Sequence, residues 1–103
     1  DRRGCLQDVH WSLGAIGYFA TYTLGNLYAA QFYAQAKKDV PGLEDSFAKG
    51  DFTPLLGWLR SKIHGQGMRL RASELVRSVT GRPLGHADLI SHLKAKFEPL
   101  YGL

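Results

Sequence analysis

The sequence predicts an all-α fold of about five helices, in which one long buried helix is followed by shorter ones. Alternation of apolar and polar residues never lasts four residues, so no strand is expected. Apolar residues recur instead at the spacing of a helix face. Glycine and proline separate the helical stretches at about residues 40–42, 65–67 and 81–85. The 103 residues are therefore predicted to form one helical unit.

The long helix is predicted to run from about Leu13 to Lys38. Phe32 and Tyr33 widen its apolar face almost to the full circumference, and a helix of that kind is buried rather than amphipathic. The stretch contains three glycines, Gly14, Gly17 and Gly25. Each costs about 1 kcal/mol relative to alanine in a helix interior. Either close packing of another backbone or the approach of a ligand would explain them.

Four shorter helices are predicted to follow, at residues 43–49, 53–64, 72–80 and 86–98. Thr53 is expected to be the N-cap of the second of them, and Pro99 is expected to end the last. Gly50 and Gly81 are expected to stop the first and third. The buried stripe of the last helix is predicted to consist of Leu89, Ile90, Leu93 and Phe97.

Composition excludes several classes of protein. An apolar content of 45% suits a folded domain. The net charge of +4 comes from basic pairs that are separated by acidic residues, which is typical of solvated helix faces rather than of a nucleic-acid site. The single cysteine, Cys5, cannot form an internal disulfide, so a reducing cytoplasmic location is expected. Glycines and polar residues interrupt the weakly charged stretch 9–36, so neither a membrane span nor a signal peptide is expected.

The densest polar chemistry lies in residues 4–11, GCLQDVHW. Asp8 lies two residues before His10 and can fix the tautomer of its imidazole, which would then donate a proton or a hydrogen bond to a substrate. Gln7 can bind a peptide carbonyl or a terminal carboxylate. Structural roles stay open for both, since a histidine near an aromatic residue or a buried amide is often only a packing element. Trp11 is interpreted as a core residue.

Two tyrosines extend this candidate site. Tyr18 and Tyr22 are four residues apart and share a helix face. Their hydroxyl groups can stabilise an oxyanion or hold the C-terminus of a substrate. The alternative is that both belong to the core.

The remaining histidines predict no metal site. His86 and His92 are six residues apart, whereas two imidazoles on one metal usually stand four apart, and no His-Glu-x-x-His string is present. With His64, they are expected to face solvent. No metal ligand and no catalytic residue is predicted in this chain.

A family resemblance joins these observations. Residues 4–11 resemble the Gly-x-x-Gln-Asp-x-His-Trp motif of the carboxypeptidase Taq family, and GYFATYTLGN at 17–26 is similar to the segment that follows it. Members are thermostable zinc metallocarboxypeptidases. Ala20 replaces a proline that is usual after Gly-Tyr-Phe, so the bend of this segment is expected to differ.

The resemblance implies that the chain is the C-terminal segment of a larger, helical, homodimeric enzyme that acts on peptide C-termini. In that family a His-Glu-x-x-His helix and a later glutamate hold zinc or another divalent metal, and all of these residues are expected before Asp1. Gln7, Asp8 and His10 are then expected to line the substrate groove. The fragment alone is expected to bind no metal and to be inactive. The alternative hypothesis is a stand-alone basic helical module that binds nucleic acid or a protein partner.

Overall fold

The computed structural model describes Gly4 and residues 9–103, and all the regular structure in this part is helical, which confirms the all-α prediction. It contains six α-helices and one 3₁₀ helix. The α-helices are α1 (Val9–Ser12), α2 (Tyr18–Asp39), α3 (Leu43–Ala48), α4 (Thr53–Lys62), α5 (Ala72–Thr80) and α6 (Ala87–Tyr101). The 3₁₀ helix, His64–Gln66, follows α4 where a flexible connector had been expected.

The long helix starts later than the sequence predicted. Gly14 and Gly17 have φ angles of 74° and 79°, a left-handed conformation that glycine adopts at little cost. Residues 13–17 therefore form a turn between α2 and the short helix α1, which was not predicted, and the amide of Ala15 closes this turn by donating to the carbonyl of His10 at 2.8 Å. Gly25 does lie inside α2, but no atom comes within 4 Å of the place where its Cβ would be.

The core forms around the second half of α2. Ala36, Leu43 and Trp58 are buried together there, and α2 also contacts α5 and α6. The residues that pack against this core are Phe32, Tyr33, Val40, Phe47, Leu55, Leu59, Ile63 and Val79. The prediction of a buried long helix is therefore correct for the second half of α2. In the first half Tyr18, Phe19, Tyr22 and Leu24 are between 43% and 56% exposed within this chain.

One polar side chain is completely buried in this core. Gln31 donates from Nε2 to Thr80 Oγ1 at 3.0 Å and to the carbonyl of Pro83 at 3.1 Å. Its Oε1 accepts from the amide of Gly85 at 3.1 Å. The side chain thereby ties α2 to the turn that joins α5 to α6. Gln31 was not predicted to be buried, although a glutamine within an otherwise apolar helix usually forms hydrogen bonds to a neighbouring segment.

Local signals predicted α3 and α5 well. α5 has the predicted bounds, and Gly81 ends it with a φ of 74°. Gly50, just after α3, has the same φ angle. At the start of α5 the Arg71 amide donates to Glu74 Oε2 at 2.8 Å, so the glutamate compensates for the missing capping side chain.

The ends of α4 and α6 correct the predictions. The N-cap of α4 is Phe52, and Thr53 is the first helical residue, with its amide donating to Asp51 Oδ1 at 2.9 Å. α6 does not end at Pro99 but continues to Tyr101. A proline in the last turn removes one backbone hydrogen bond only, so the helix can pass it.

The predicted stripe of α6 is also less buried than expected. Leu89 is partly buried, whereas Ile90, Leu93 and Phe97 are between 38% and 45% exposed. α2 covers only the near side of α6.

Asp39, at the end of α2, is held by two donors. Trp58 Nε1 donates to its Oδ2 at 2.8 Å, and Gln35 Nε2 donates to its Oδ1 at 2.8 Å. Both bonds favour the charged carboxylate, the bond from Trp58 most, so the pKa of Asp39 lies below its ordinary value of 3.8. This link stabilises the fold at pH values above 3.8, and the stabilisation is lost as the pH falls through the lower pKa of the folded state.

Replacing Trp58 with phenylalanine is expected to raise the pKa of Asp39 towards 3.8, because the indole donor is lost. An NMR titration of the Asp39 carboxyl group in the wild-type and Trp58→Phe chains measures this change. Trp11→Phe is the matched control, since the side chain of Trp11 is 67% exposed and lies outside this contact. An unchanged pKa of Asp39 in Trp58→Phe would contradict the assignment.

Candidate substrate-binding site

Three of the five residues predicted for the site are described, and they lie together. His10 lies in α1, and Tyr18 and Tyr22 lie in the first two turns of α2. Gln7 and Asp8 lie outside the described residues, so their predicted roles stay predictions.

The turn between α1 and α2 brings His10 onto α2. Its ring stacks on Tyr18, with centroids 4.8 Å apart and planes 25° apart. It also lies 4.9 Å from the ring of Phe19, at an angle of 59°. Tyr18 and Phe19, which are adjacent in sequence, thus both contact the imidazole of His10. The glycines of the turn allow this reversal, because each adopts a left-handed conformation that other residues rarely take.

The two tyrosine hydroxyls form a pair beside the imidazole. Tyr22 Oη donates to Tyr18 Oη at 3.3 Å, and the ring centroids lie 5.5 Å apart. This hydrogen bond requires the proton of Tyr22, so it raises the pKa of Tyr22 above its ordinary value of 10.0. With its oxygen accepting from Tyr22, Tyr18 can direct its own hydroxyl hydrogen towards another acceptor.

Exposure excludes a core role for these aromatic residues within this chain. Tyr18 and Tyr22 are about half exposed, and Trp11 is still more exposed. Trp11, which was interpreted as a core residue, is therefore not covered by the residues of this chain. The cluster instead presents an imidazole and two hydroxyl groups on an open surface, where a ligand can reach them.

The chain was then compared with known proteins. Residues 1–97 match the model of the family described as Carboxypeptidase Taq (M32) metallopeptidase. The chain belongs to this family.

Several M32 relatives share the segment. The chain is 48% identical over 99 residues to thermostable carboxypeptidase 1 of Thermus thermophilus, and the match covers 96% of this chain and 19% of the relative. It is 39% identical over 101 residues to carboxypeptidase 1 of Bacillus subtilis, covering 98% of this chain and 20% of that protein. The crystal structure of an M32 carboxypeptidase from Deinococcus radiodurans superposes with a TM-score of 0.90 at 45% identity, over 96% of this chain and 20% of that one. The chain therefore spans about a fifth of the length of these relatives.

The described part of this M32 chain does not fit a metal site. His64, His86 and His92 are exposed, as predicted, and His92 packs edge-on against Tyr33 with centroids 6.3 Å apart. Zinc in proteins takes about four ligands. In residues 9–103 no three histidine, cysteine or acidic side chains stand where they could hold one ion.

Two further grooves flank α2 in this M32 chain. One, of about 380 Å³, lies against α6 and is lined by Asn26, Ala29, Ala30, Tyr33, Leu89, His92 and Leu93. Another, of about 220 Å³, lies against α4 and is lined almost wholly by apolar side chains. Neither groove includes His10, Tyr18 or Tyr22. No helix within residues 9–103 has the length and apolar character that a bilayer crossing requires.

Proposed function

We propose that this chain is the C-terminal segment of a zinc metallocarboxypeptidase that removes amino acids one at a time from peptide C-termini. The observation that carries the proposal is the placement of His10 against Tyr18 and Phe19, beside the hydroxyl pair of Tyr18 and Tyr22. Family membership supports the reaction class, since the relatives are named carboxypeptidases.

His10 is assigned to donate a hydrogen bond to the substrate. Its ring is oriented by two aromatic contacts, and an oriented imidazole N–H can hold a carbonyl oxygen or the terminal carboxylate of a peptide. Tyr18 is assigned to add a second donor from its hydroxyl group, because Tyr22 already donates to the Tyr18 oxygen. Gln7 and Asp8 are proposed to complete the groove, Gln7 as an amide partner of the peptide and Asp8 as the carboxylate that fixes the tautomer of His10.

The metal is assigned to another part of the enzyme. The described residues provide no ligand set, so we derive no step of the reaction through a metal in this chain. In the proposed enzyme, zinc or another divalent ion would activate water and polarise the scissile carbonyl. This segment contributes substrate contacts to that reaction and is proposed to be inactive alone.

The isolated chain is expected to bind zinc no more tightly than separate surface histidines do, because its histidines do not converge on one point. Isothermal titration calorimetry with zinc on the 103-residue chain measures this. One tight site of unit stoichiometry would contradict the assignment of the metal to another segment.

A chimera tests the proposed activity. The 99 matching residues of the Thermus thermophilus carboxypeptidase would be replaced by the corresponding residues of this chain. The chimera is expected to release C-terminal amino acids from peptides, and to lose this activity on chelation of its metal, because the segment provides the required groove residues. A chimera that unfolds cooperatively but is inactive would contradict the proposal.

The remaining elements of the proposal concern assembly and location. We propose that the complete enzyme is a homodimer in the cytoplasm, as the family resemblance implies. The single cysteine suits a reducing compartment. The alternative of a nucleic-acid-binding module gains no support from the comparisons, all of which lead to carboxypeptidases.

A further inference from the structure

α1 and the first half of α2 present an exposed surface without charge. Residues 9–36 contain no aspartate, glutamate, lysine or arginine. Large apolar side chains in this stretch are nevertheless between 48% and 79% exposed: Val9, Trp11, Leu13, Ile16 and Leu24. We call these five residues the uncharged face.

The uncharged face differs from the apolar stripe that Ile90, Leu93 and Phe97 form on α6. On α6, Leu93 and Phe97 are partly exposed, but Lys94, Lys96 and Glu98 stand between and beside them. That arrangement is the ordinary amphipathic pattern of a solvated helix. A stretch of 28 residues without one formal charge does not have this amphipathic pattern. An exposed apolar patch of this kind on a folded chain marks an interface.

Gly25 is a second indication of an interface on this part of the chain. It lies inside α2, where glycine costs about 1 kcal/mol relative to alanine. Apart from its chain neighbours and the backbone of its own helix, no atom of the described chain lies within 4 Å of its missing Cβ, so no packing within the chain accounts for it. A glycine on an open helix face is favourable where another polypeptide packs closely against the backbone.

We propose that the uncharged face is the docking surface for the rest of an M32 carboxypeptidase, namely the four-fifths of the polypeptide that this segment lacks. This inference rests on the proposed function. The Deinococcus radiodurans structure contains the same fold as one fifth of a longer chain, so in that enzyme most of the polypeptide lies outside the matched segment.

The docking would also complete the candidate site. His10, Tyr18 and Tyr22 lie in the same two elements as the uncharged face. A polypeptide packed on that face therefore lies next to the imidazole and the two hydroxyl groups. The missing part, to which the metal is assigned, and the substrate contacts of this segment would then meet at one groove.

Thiol labelling in the chimera described above tests this inference. Leu13→Cys and Leu24→Cys place single thiols on the uncharged face, and Met68→Cys is the control, because Met68 is an equally apolar residue that is fully exposed. All three are made in a background that lacks other cysteines, including Cys5. In the monomeric chimera the first two thiols are expected to react at least about tenfold more slowly than in the isolated chain at high dilution. The Met68→Cys thiol is expected to react at the same rate in both proteins.

Three outcomes decide the inference. Protection that persists when the chimera is diluted to a monomer supports it. Thiols at positions 13 and 24 that react as fast in the folded chimera as in the isolated chain overturn it. Protection that disappears on dilution also overturns it, because a second copy of the protein would then be the occupant. Activity is not the readout, so a folded, inactive chimera with protected thiols supports this inference while contradicting the proposed function.

A second measurement uses the isolated chain alone. Leu24→Glu is expected to leave its thermal unfolding temperature unchanged, because the side chain is about half exposed and makes no core contact there. A loss of cooperative unfolding in this variant would show that the chain covers the face internally, and would overturn the inference. Leu43→Glu is the positive control, since Leu43 is only 2% exposed and lies in the core.

Discussion

Replacing His10 with alanine in the chimeric enzyme is expected to lower kcat about 100- to 1,000-fold, the range observed when one oriented donor to a developing oxyanion is removed. The imidazole packs on the partly exposed rings of Tyr18 and Phe19, away from the core around Trp58, so the melting temperature should change little. Turnover per folded molecule and thermal unfolding are measured on the same preparation.

His92→Ala is the matched control for this experiment. His92, like His10, packs against a tyrosine, but it is exposed and its partner is Tyr33 in the groove between α2 and α6. The control should keep wild-type turnover. A His10 variant with unchanged turnover per folded enzyme and a clearly lowered melting temperature would show that His10 is structural, and the assignment to substrate would be abandoned.

Replacing Gln31 with leucine is expected to destabilise the isolated chain by about 2 to 4 kcal/mol, because three part-buried hydrogen bonds of about 0.5–1.5 kcal/mol each are lost. The groups that lose a bond would be the carbonyl of Pro83, the amide of Gly85 and the hydroxyl of Thr80, which keeps its bond to the carbonyl of Val76. A domain of this size is stabilised by only about 5–15 kcal/mol in total, so the effect should be plain. Urea denaturation monitored by circular dichroism measures it.

Gln35→Leu is the control for the Gln31 variant. It makes the same change one turn further along α2, where the side chain makes a single exposed hydrogen bond to Asp39. The expected loss is about 1 kcal/mol or less. Equal losses of unfolding free energy in the two variants would mean that the hydrogen bonds from Gln31 to residues 80–85 do not stabilise the position of α2.

Some elements of the fold could be predicted from local sequence because their ends depend on neighbouring residues alone. The helix at Ala72–Thr80 needs only its apolar spacing and Gly81 at its end. The break at Gly14 and Gly17 was missed, because a glycine signals conformational freedom but does not say which φ it adopts. Pro99 was read as a stop for a related reason, since its effect depends on how many hydrogen bonds remain to be lost after it.

The candidate site, like the fold, could be predicted from the sequence only in part. The residue types within 4–11 and 18–22 suffice to predict an imidazole and two hydroxyls with a role in binding, and they carry the resemblance to the M32 family that the comparisons confirm. That His10 stacks on Tyr18 depends on the direction in which α1 turns back on α2, which no spacing rule encodes. Gln7 and Asp8 stay predictions from sequence.

The sequence by itself determined the helical class and the family of this protein, because helical spacing and a dense polar motif are both properties of short stretches of chain. Only the tertiary structure decided which parts of those helices are covered. It buries Gln31 and Ala36 in the second half of α2 and leaves Tyr18 and Leu24 exposed in the first half. The first half carries more large apolar side chains than the second and is nevertheless the more exposed, so burial depends on where α4, α5 and α6 pack, and these helices contact α2 through residues distant in sequence.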